Sequence, residues 1–346
     1  MSEPDKKTVF RTEKASLRGR LVRGGVRLAF RLMDDPTEQL GMKEPGETKA
    51  TDAPQGFEFR RRRLANSWLE LLRPGDRLKL RRLTYDAGVR PGPPRTVLHL
   101  HGGGYMLGLL DPYRYFSLHY LKKTQADLVA TLDYRHFPGH HFPAALEDAV
   151  DAWRYLLAQG CDPRYIVVAG DSAGANLALG LMLWLRDRGE ELPGGAILMS
   201  PWADMTFSGE SIYTKRYLDP MFGVARGKDL IPDEYARFTD YLGDHDPTDP
   251  YISPVFGDFE GFPPMLVQTG EEEMLMSDSL RIVENCVKAG VPVQHSIYEG
   301  MFHTFQIIGG EPVPEGKQAW AEAAAAVRGM WDGYDDALVR GAEDKE

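Results

Sequence analysis

Five short apolar runs do most to limit what this chain can fold into. They are RTVLHLH from Arg95, DLVATLDY from Asp127, RYIVVAG from Arg164, GAILMSP from Gly195 and PMLVQTG from Pro264. Each is rich in Val, Ile and Leu and bounded by turn residues, as strands buried on both faces are. Helical patterns separate several of them, FPAALEDAVDAWRYLLAQG and then AGANLALGLMLWLRDRG. Strand, helix, strand repetition predicts an α/β fold, a mainly parallel sheet with helices on both faces. VPVQHSIYEG reads as a last strand, and LKLRRLTYD, from Leu78, as an exposed alternating one.

Two stretches break this rhythm. Residues 1–75 are basic and dotted with glycine, without β-rich runs. Within ASLRGRLVRGGVRLAFRLMDD, Leu17, Leu21, Leu28 and Leu32 fall on one side of a helix, with Arg20, Arg23, Arg27 and Arg31 beside them. An amphipathic helix is predicted, interrupted by Gly24-Gly25. A basic helix of this kind can cover a pocket or lie on a membrane; the covering role is the expectation. Residues 203–250, with Met205, Phe207, Tyr213, Tyr217, Met221, Phe222 and Tyr235, read as an inserted helical region. The acidic tail, 336–346, is expected to fray. The core is then assigned to 76–202 and 251–335.

The run from Arg164 continues into Gly170-Asp171-Ser172-Ala173-Gly174 and a helical pattern. This G-x-S-x-G at a strand-to-helix turn would expose the Ser172 hydroxyl above the sheet, at a helix N-terminus that favours developing negative charge. A serine attacking an acyl carbon creates an oxyanion that needs preorganised donors. The amide of Ala173 is one candidate. The run from Arg95 ends in His101-Gly102-Gly103-Gly104, whose bare glycines can aim amides at that oxygen. Gly103 and Gly104 are the expected donors, with His101 anchoring the loop.

The serine needs a base and the base an orienting carboxylate, further along the chain. His295 lies inside a strand and His245 in the inserted region. His303, in EGMFHTFQ just past the last strand, is the expected base. Glu271, Glu272, Glu273 and Asp278 all follow PMLVQTG. Glu273 is the expected acid, still in the turn, and Asp278 the runner-up, better placed with Ser277 to cap the next helix.

Other features point to simpler roles. The net charge of −10 argues against nucleic acid as a partner, and Arg60-Arg61-Arg62-Arg63 reads as a solvated basic face. Cys161 and Cys286 make no disulfide framework, which fits a reducing cytoplasm. MSEPDKKTVFRTEK has no apolar core, so no secretory signal is expected. Pro138-Gly139 breaks any helix that would align His136, His140 and His141 on a metal. DHDPTDP lacks the glycine and acid of a calcium loop and reads as a turn.

Taken in order, HGGGY, DYRHFPGHHFPAALEDA, GDSAGAN, SPWAD, GEEEMLMSDS and MFHTF resemble the bacterial esterases of the hormone-sensitive-lipase-like family, within the α/β-hydrolases. The likeness spans residues 78 to 325. It implies an α/β-hydrolase fold with a helical cap built from the N-terminal segment and the 203–250 insert. It also implies a serine carboxylester hydrolase with a Ser172–Glu273–His303 triad and an oxyanion hole of Gly103, Gly104 and Ala173. Short to medium acyl esters are the expected small-molecule substrates, no metal or organic cofactor is expected, and a homodimer is left open. An amidase or formamidase would use the same triad, and a non-catalytic binder would share the fold. Two features depart from the family: Tyr134-Arg135-His136-Phe137-Pro138-Gly139 replaces a YRLAPE-like stretch, and Glu273 stands where aspartate is more usual.

Overall fold

In this computed structural model the chain is described over residues 6–11, 14–32, 55–75, 93–224, 237–308 and 313–343. The strands are β1 Lys6–Arg11, β2 Phe57–Arg63, β3 Trp68–Pro74, β4 Thr96–Leu100, β5 Leu128–Asp133, β6 Ile166–Asp171, β7 Gly195–Met199, β8 Met265–Gly270 and β9 Val293–Tyr298. The helices are α1 Leu17–Leu32, α2 Asp111–Thr124, α3 Ala144–Ala158, α4 Ala173–Asp187, α5 Ser211–Thr214, α6 Met276–Lys288, α7 Phe305–Ile308 and α8 Pro314–Glu343.

The strands form one sheet in the order β1-β9-β8-β7-β6-β4-β5-β3-β2. Every residue of β4 through β8 is buried, which is why these runs are mainly apolar. Alternate side chains face opposite layers. Leu98, Val168 and Leu198 pack with Trp153 of α3, Leu177 of α4 and Ile282 of α6. Val97, Val167 and Ile197 pack with Phe116 of α2 and with Trp320 and Trp331 of α8. The chain runs from β4 out to β5, recrosses to β6, and then moves the other way to β7. Loops after β4 and β6 therefore part, and a crevice opens at the carboxyl ends of these strands.

The flanks differ from the expectation. Three strands of residues 1–75 lie in the sheet: β1 pairs parallel with β9, while β2 and β3 extend it antiparallel beyond β5. The sequences of the two edge strands, KKTVFR in β1 and FEFRRRR in β2, disguise them because charged side chains protect sheet edges from pairing with other chains. β3, WLELLRP, is flanked on both sides and mostly buried, but Glu70 and Arg73 interrupt its apolar run. Within the arginine run, Arg60, Arg62 and Arg63 are exposed as expected. Arg61 turns inward and pairs with Asp133 at 2.9 Å. The exposed strand predicted from Leu78 lies outside the described residues.

Helix α1 forms, but it faces the other way. Leu17, Leu21 and Leu28 are 66%, 66% and 60% exposed. Its inner side holds by Val26, which packs with Met301 and Phe302, and by arginines. Arg23 pairs with Glu272, and Arg27 donates to the Leu218 carbonyl at 2.5 Å. In the insert, the described residues hold only the short α5 and a 3-10 turn, Arg237–Leu242; Tyr235 lies outside them. Helix α8 continues to Glu343, through most of the tail expected to fray. Among the described residues no helix is long and apolar enough to cross a membrane.

Candidate active site

Ser172 stands between β6 and α4 with φ 51° and ψ −119°. A non-glycine residue held there is strained, and the surrounding packing must impose it. Glycine makes the turn feasible: a Cβ on Gly174 would lie 2.0 Å from the Leu100 carbonyl oxygen. The sharp turn presents the hydroxyl at the crevice.

His303 follows β9, and Glu273 follows β8. His303 Nε2 lies 3.0 Å from Ser172 Oγ, and His303 Nδ1 lies 2.9 Å from Glu273 Oε2. Both side chains are buried. The second carboxylate oxygen of Glu273 accepts from the Gly270 amide at 2.6 Å. Burial pushes the Glu273 carboxyl above the usual carboxylate range, His303 pulls it back, and the neighbouring Asp219 adds to the rise. The three residues predicted from the sequence thus meet in one hydrogen-bonded line.

Asp278 is elsewhere. Its Oδ2 accepts from the amides of Ala203 at 2.7 Å and Asp204 at 2.9 Å. It ties the loop after β7 to α6, rather than capping α6 as expected. Ser277 does not cap it either; its Oγ accepts from the Ser211 amide at 2.9 Å.

Gly103 and Gly104 take φ values of 110° and 65°, open to glycine and disfavoured for other residues. No acceptor for the amides of Gly103, Gly104 or Ala173 is found among the described residues. Idle donors beside a serine hydroxyl are what an oxyanion requires. The loop that carries them is fastened at its start. His101 Nδ1 lies 2.8 Å from the Gly102 carbonyl, and its ring stacks on Tyr134, 4.2 Å between centroids. Burial holds the His101 pKa down to about 3, so the ring is neutral and Nδ1–H donates. Tyr134 Oη in turn donates to the His101 carbonyl at 2.7 Å.

Two positioning carboxylates escaped the sequence reading. Asp171 accepts from the Gly102 amide at 3.1 Å, joining the glycine loop to the serine turn. Asp219 in the insert is buried. It accepts from the amides of Met221 at 2.8 Å, Phe222 at 3.2 Å and Met274 at 2.9 Å. One carboxylate thereby grips the turn that carries Glu273 and shapes the turn that lays Phe222 against the His303 ring, centroids 4.9 Å apart. The only sequence signal was an Asp-Pro beside the aromatic cluster.

Of the other insert residues singled out, Met205 is buried, whereas Tyr213 is 54% exposed. Trp202 stacks with Phe207 at 5.7 Å. Arg135, whose local acid partner is missing from the sequence, pairs with Asp148 and Glu147 of α3, each at 2.9 Å. His136 and His141 place Nδ1 against the backbone carbonyls of Phe137 and Asp240. His295 meets Thr269 inside the sheet at 3.0 Å. In DHDPTDP, Asp246 accepts from the Thr248 amide at 2.8 Å, a turn bond.

Residues 97–307 match the family model described as alpha/beta hydrolase fold. An acetyl-hydrolase of Streptomyces hygroscopicus is 40% identical over 259 residues, 74% of this chain and 83% of that protein. An esterase of Acinetobacter venetianus is 38% identical over 66% of this chain and 73% of its own length. Among solved structures, an esterase from the bacterial hormone-sensitive lipase family superposes with a TM-score of 0.74 at 30% identity, covering 92% of this chain and 100% of that one. The esterase EstE5 soaked with p-nitrophenyl butyrate does so with a TM-score of 0.76 at 30% identity, with the same coverage.

Proposed function

We propose that this chain, which belongs to the α/β-hydrolase family and within it to the esterases related to hormone-sensitive lipase, cleaves carboxylic esters through an acyl-enzyme on Ser172. The observation that carries the mechanism is the buried line from Ser172 Oγ through His303 to Glu273, with links of 3.0 and 2.9 Å. His303 Nε2 takes the serine proton as Oγ attacks the ester carbonyl carbon. Glu273 holds Nδ1–H and steadies the imidazolium that forms. The carbonyl oxygen, now an oxyanion, receives the idle amides of Gly103, Gly104 and Ala173. Collapse breaks the ester C–O bond, and His303 protonates the departing alcohol. A water, deprotonated by the same nitrogen, then releases the acid and frees the serine.

Every step uses groups of this chain. The inner face of helix α1, with Arg23 and Arg27, and the described part of 203–250 act as the cap, a reading supported by the Arg27 bond to Leu218 and by Phe222 against His303. Phe222 against the His303 ring narrows the site, which favours short to medium acyl groups. Buried, unpaired Cys161 and Cys286 agree with a cytoplasmic setting.

The test is a panel of p-nitrophenyl esters of rising chain length, run beside matching anilides, on wild type and Ser172→Ala. Ester turnover that falls by roughly a thousandfold or more in a normally folded variant is expected. Near-native turnover in the variant would remove Ser172 from the mechanism. Preferred cleavage of the anilides would favour an amidase.

A further inference from the structure

We infer that α1 docks the enzyme on an anionic lipid surface, with Leu17, Leu21 and Leu28 entering the headgroup boundary and flanking arginines meeting lipid phosphates. A helix that only covered a pocket would turn its leucines inward. Here the inner face is built from Val26, Arg23 and Arg27, and the leucines stand 66%, 66% and 60% exposed. Three leucines at these spacings form one outward stripe, because 17, 21 and 28 repeat close to the helical period. Gly24 and Gly25 lie along the same stripe, and a Cβ on either would meet nothing within 4 Å. Among the described residues the face is therefore open as well as apolar.

Charge selects the occupant. The segment 17–32 holds five arginines and no acidic residue, in a chain of net charge −10. Arg18 and Arg20 are exposed at the edges of the stripe. An apolar stripe rimmed by arginine suits the boundary of an anionic bilayer. The acidic remainder of the protein would be repelled by that surface. The exposed Arg60, Arg62 and Arg63 of β2 make a second basic patch, but among the described residues no exposed leucine accompanies them, which leaves α1 as the side that can enter it. A second copy of the chain fits less well. A two-fold contact between stripes would bring one set of arginines against the other. Docking through α1 also turns the site toward the lipid, since Arg23 reaches Glu272 and the Gly300 carbonyl, close in sequence to Glu273 and His303.

The experiment is co-sedimentation of the full chain with phosphatidylcholine vesicles, with and without phosphatidylglycerol, at low and high salt. Soluble-ester turnover and sedimentation velocity are measured alongside on the same samples. Wild type should bind the phosphatidylglycerol vesicles, with binding weakened by salt. Replacing Arg18 and Arg20 by Ala should weaken it by about thirtyfold, the loss expected for two cations near an anionic surface. Leu17, Leu21 and Leu28 changed together to Ser should weaken it by about tenfold or more while turnover on a soluble ester stays unchanged. The vesicle readout does not depend on the ester mechanism, so either reading can fail alone. Absence of binding to phosphatidylglycerol vesicles, or equal binding to phosphatidylcholine alone that ignores the arginine variant, overturns the proposal. Self-association in solution that the leucine variant abolishes, without vesicle binding, would assign the stripe to a second copy instead.

Discussion

Glu273→Gln replaces a carboxylate by an amide of the same shape at a site with no room to rearrange. The two acceptor oxygens of Glu273 serve the Gly270 amide at 2.6 Å and His303 Nδ1 at 2.9 Å. An amide offers one oxygen and one NH2. If the oxygen stays on His303, the NH2 faces the Gly270 N–H, and a buried donor is left unpaired at a cost of about 1–3 kcal/mol. If the oxygen goes to Gly270, the NH2 points at His303 Nδ1. That arrangement wins, and it forces the tautomer with hydrogen on Nε2. Nε2 then faces Ser172 Oγ as a donor and cannot take its proton. When the triad carboxylate of a serine protease is replaced by an amide, turnover drops ~10,000-fold, about 5.4 kcal/mol of barrier. The same loss is expected here in kcat on a p-nitrophenyl ester. The fold should survive. Burial raises the Glu273 carboxyl, so its ionised form is a burden on the folded state above the ordinary carboxylate range. A neutral glutamine removes that burden, and the melting temperature near neutral pH should not fall. Turnover within about tenfold of wild type would refute the tautomer reasoning. A collapsed melting temperature would show that the residue is structural.

Asp278→Ala should behave in the opposite way, because it strips acceptors from the buried amides of Ala203 and Asp204. A loss of roughly 2–5 kcal/mol by thermal or urea unfolding is expected with kcat little changed; inactivity in a stable variant would return it to the catalytic group. Asp219→Ala unpairs three amides and frees the turns bearing Glu273 and Phe222, so kcat/KM should fall by about a hundredfold, the scale of a slight misplacement of reacting groups. Full activity there would show that the insert does not position the site. Burial pushes Asp171 up to about 7. A raised folded pKa gives stability that is complete below the unfolded value and is lost as pH rises to about 7. Melting of wild type relative to Asp171→Asn should therefore decline from acid to neutral pH and level off above; a rise over that range would contradict the sign.

The parts legible in the sequence were those whose signal is local. Strands buried on both faces are apolar at most positions rather than at alternate ones, so β4 to β8 announce themselves. Ser172, His303 and the glycine loop were readable because each sits at a strand's end within a short pattern. β1 and β2 were missed since edge strands carry the charges that mark loops elsewhere, and the interior β3 because Glu70 and Arg73 break its apolar run. The stripe on α1 was found but its direction was not. Periodicity shows that a face exists; what the opposite face binds, here Glu272 and the Leu218 carbonyl, is set by residues far along the chain. Asp171 and Asp219 were invisible for the same reason, with partners 69 and 55 positions away. The role of Asp278 was misjudged because a helix-first-turn aspartate resembles a cap until the loop after β7 is seen beside it.

The central claim is that His303 activates Ser172 for covalent attack. Its most direct measurement is peptide mapping by mass spectrometry after acid quench of a p-nitrophenyl ester reaction, on wild type and His303→Ala. The acyl mass is expected on the peptide that contains Ser172 in wild type, and should disappear in the variant. An acyl group on another residue, or one on Ser172 that forms as fast without His303, would contradict it.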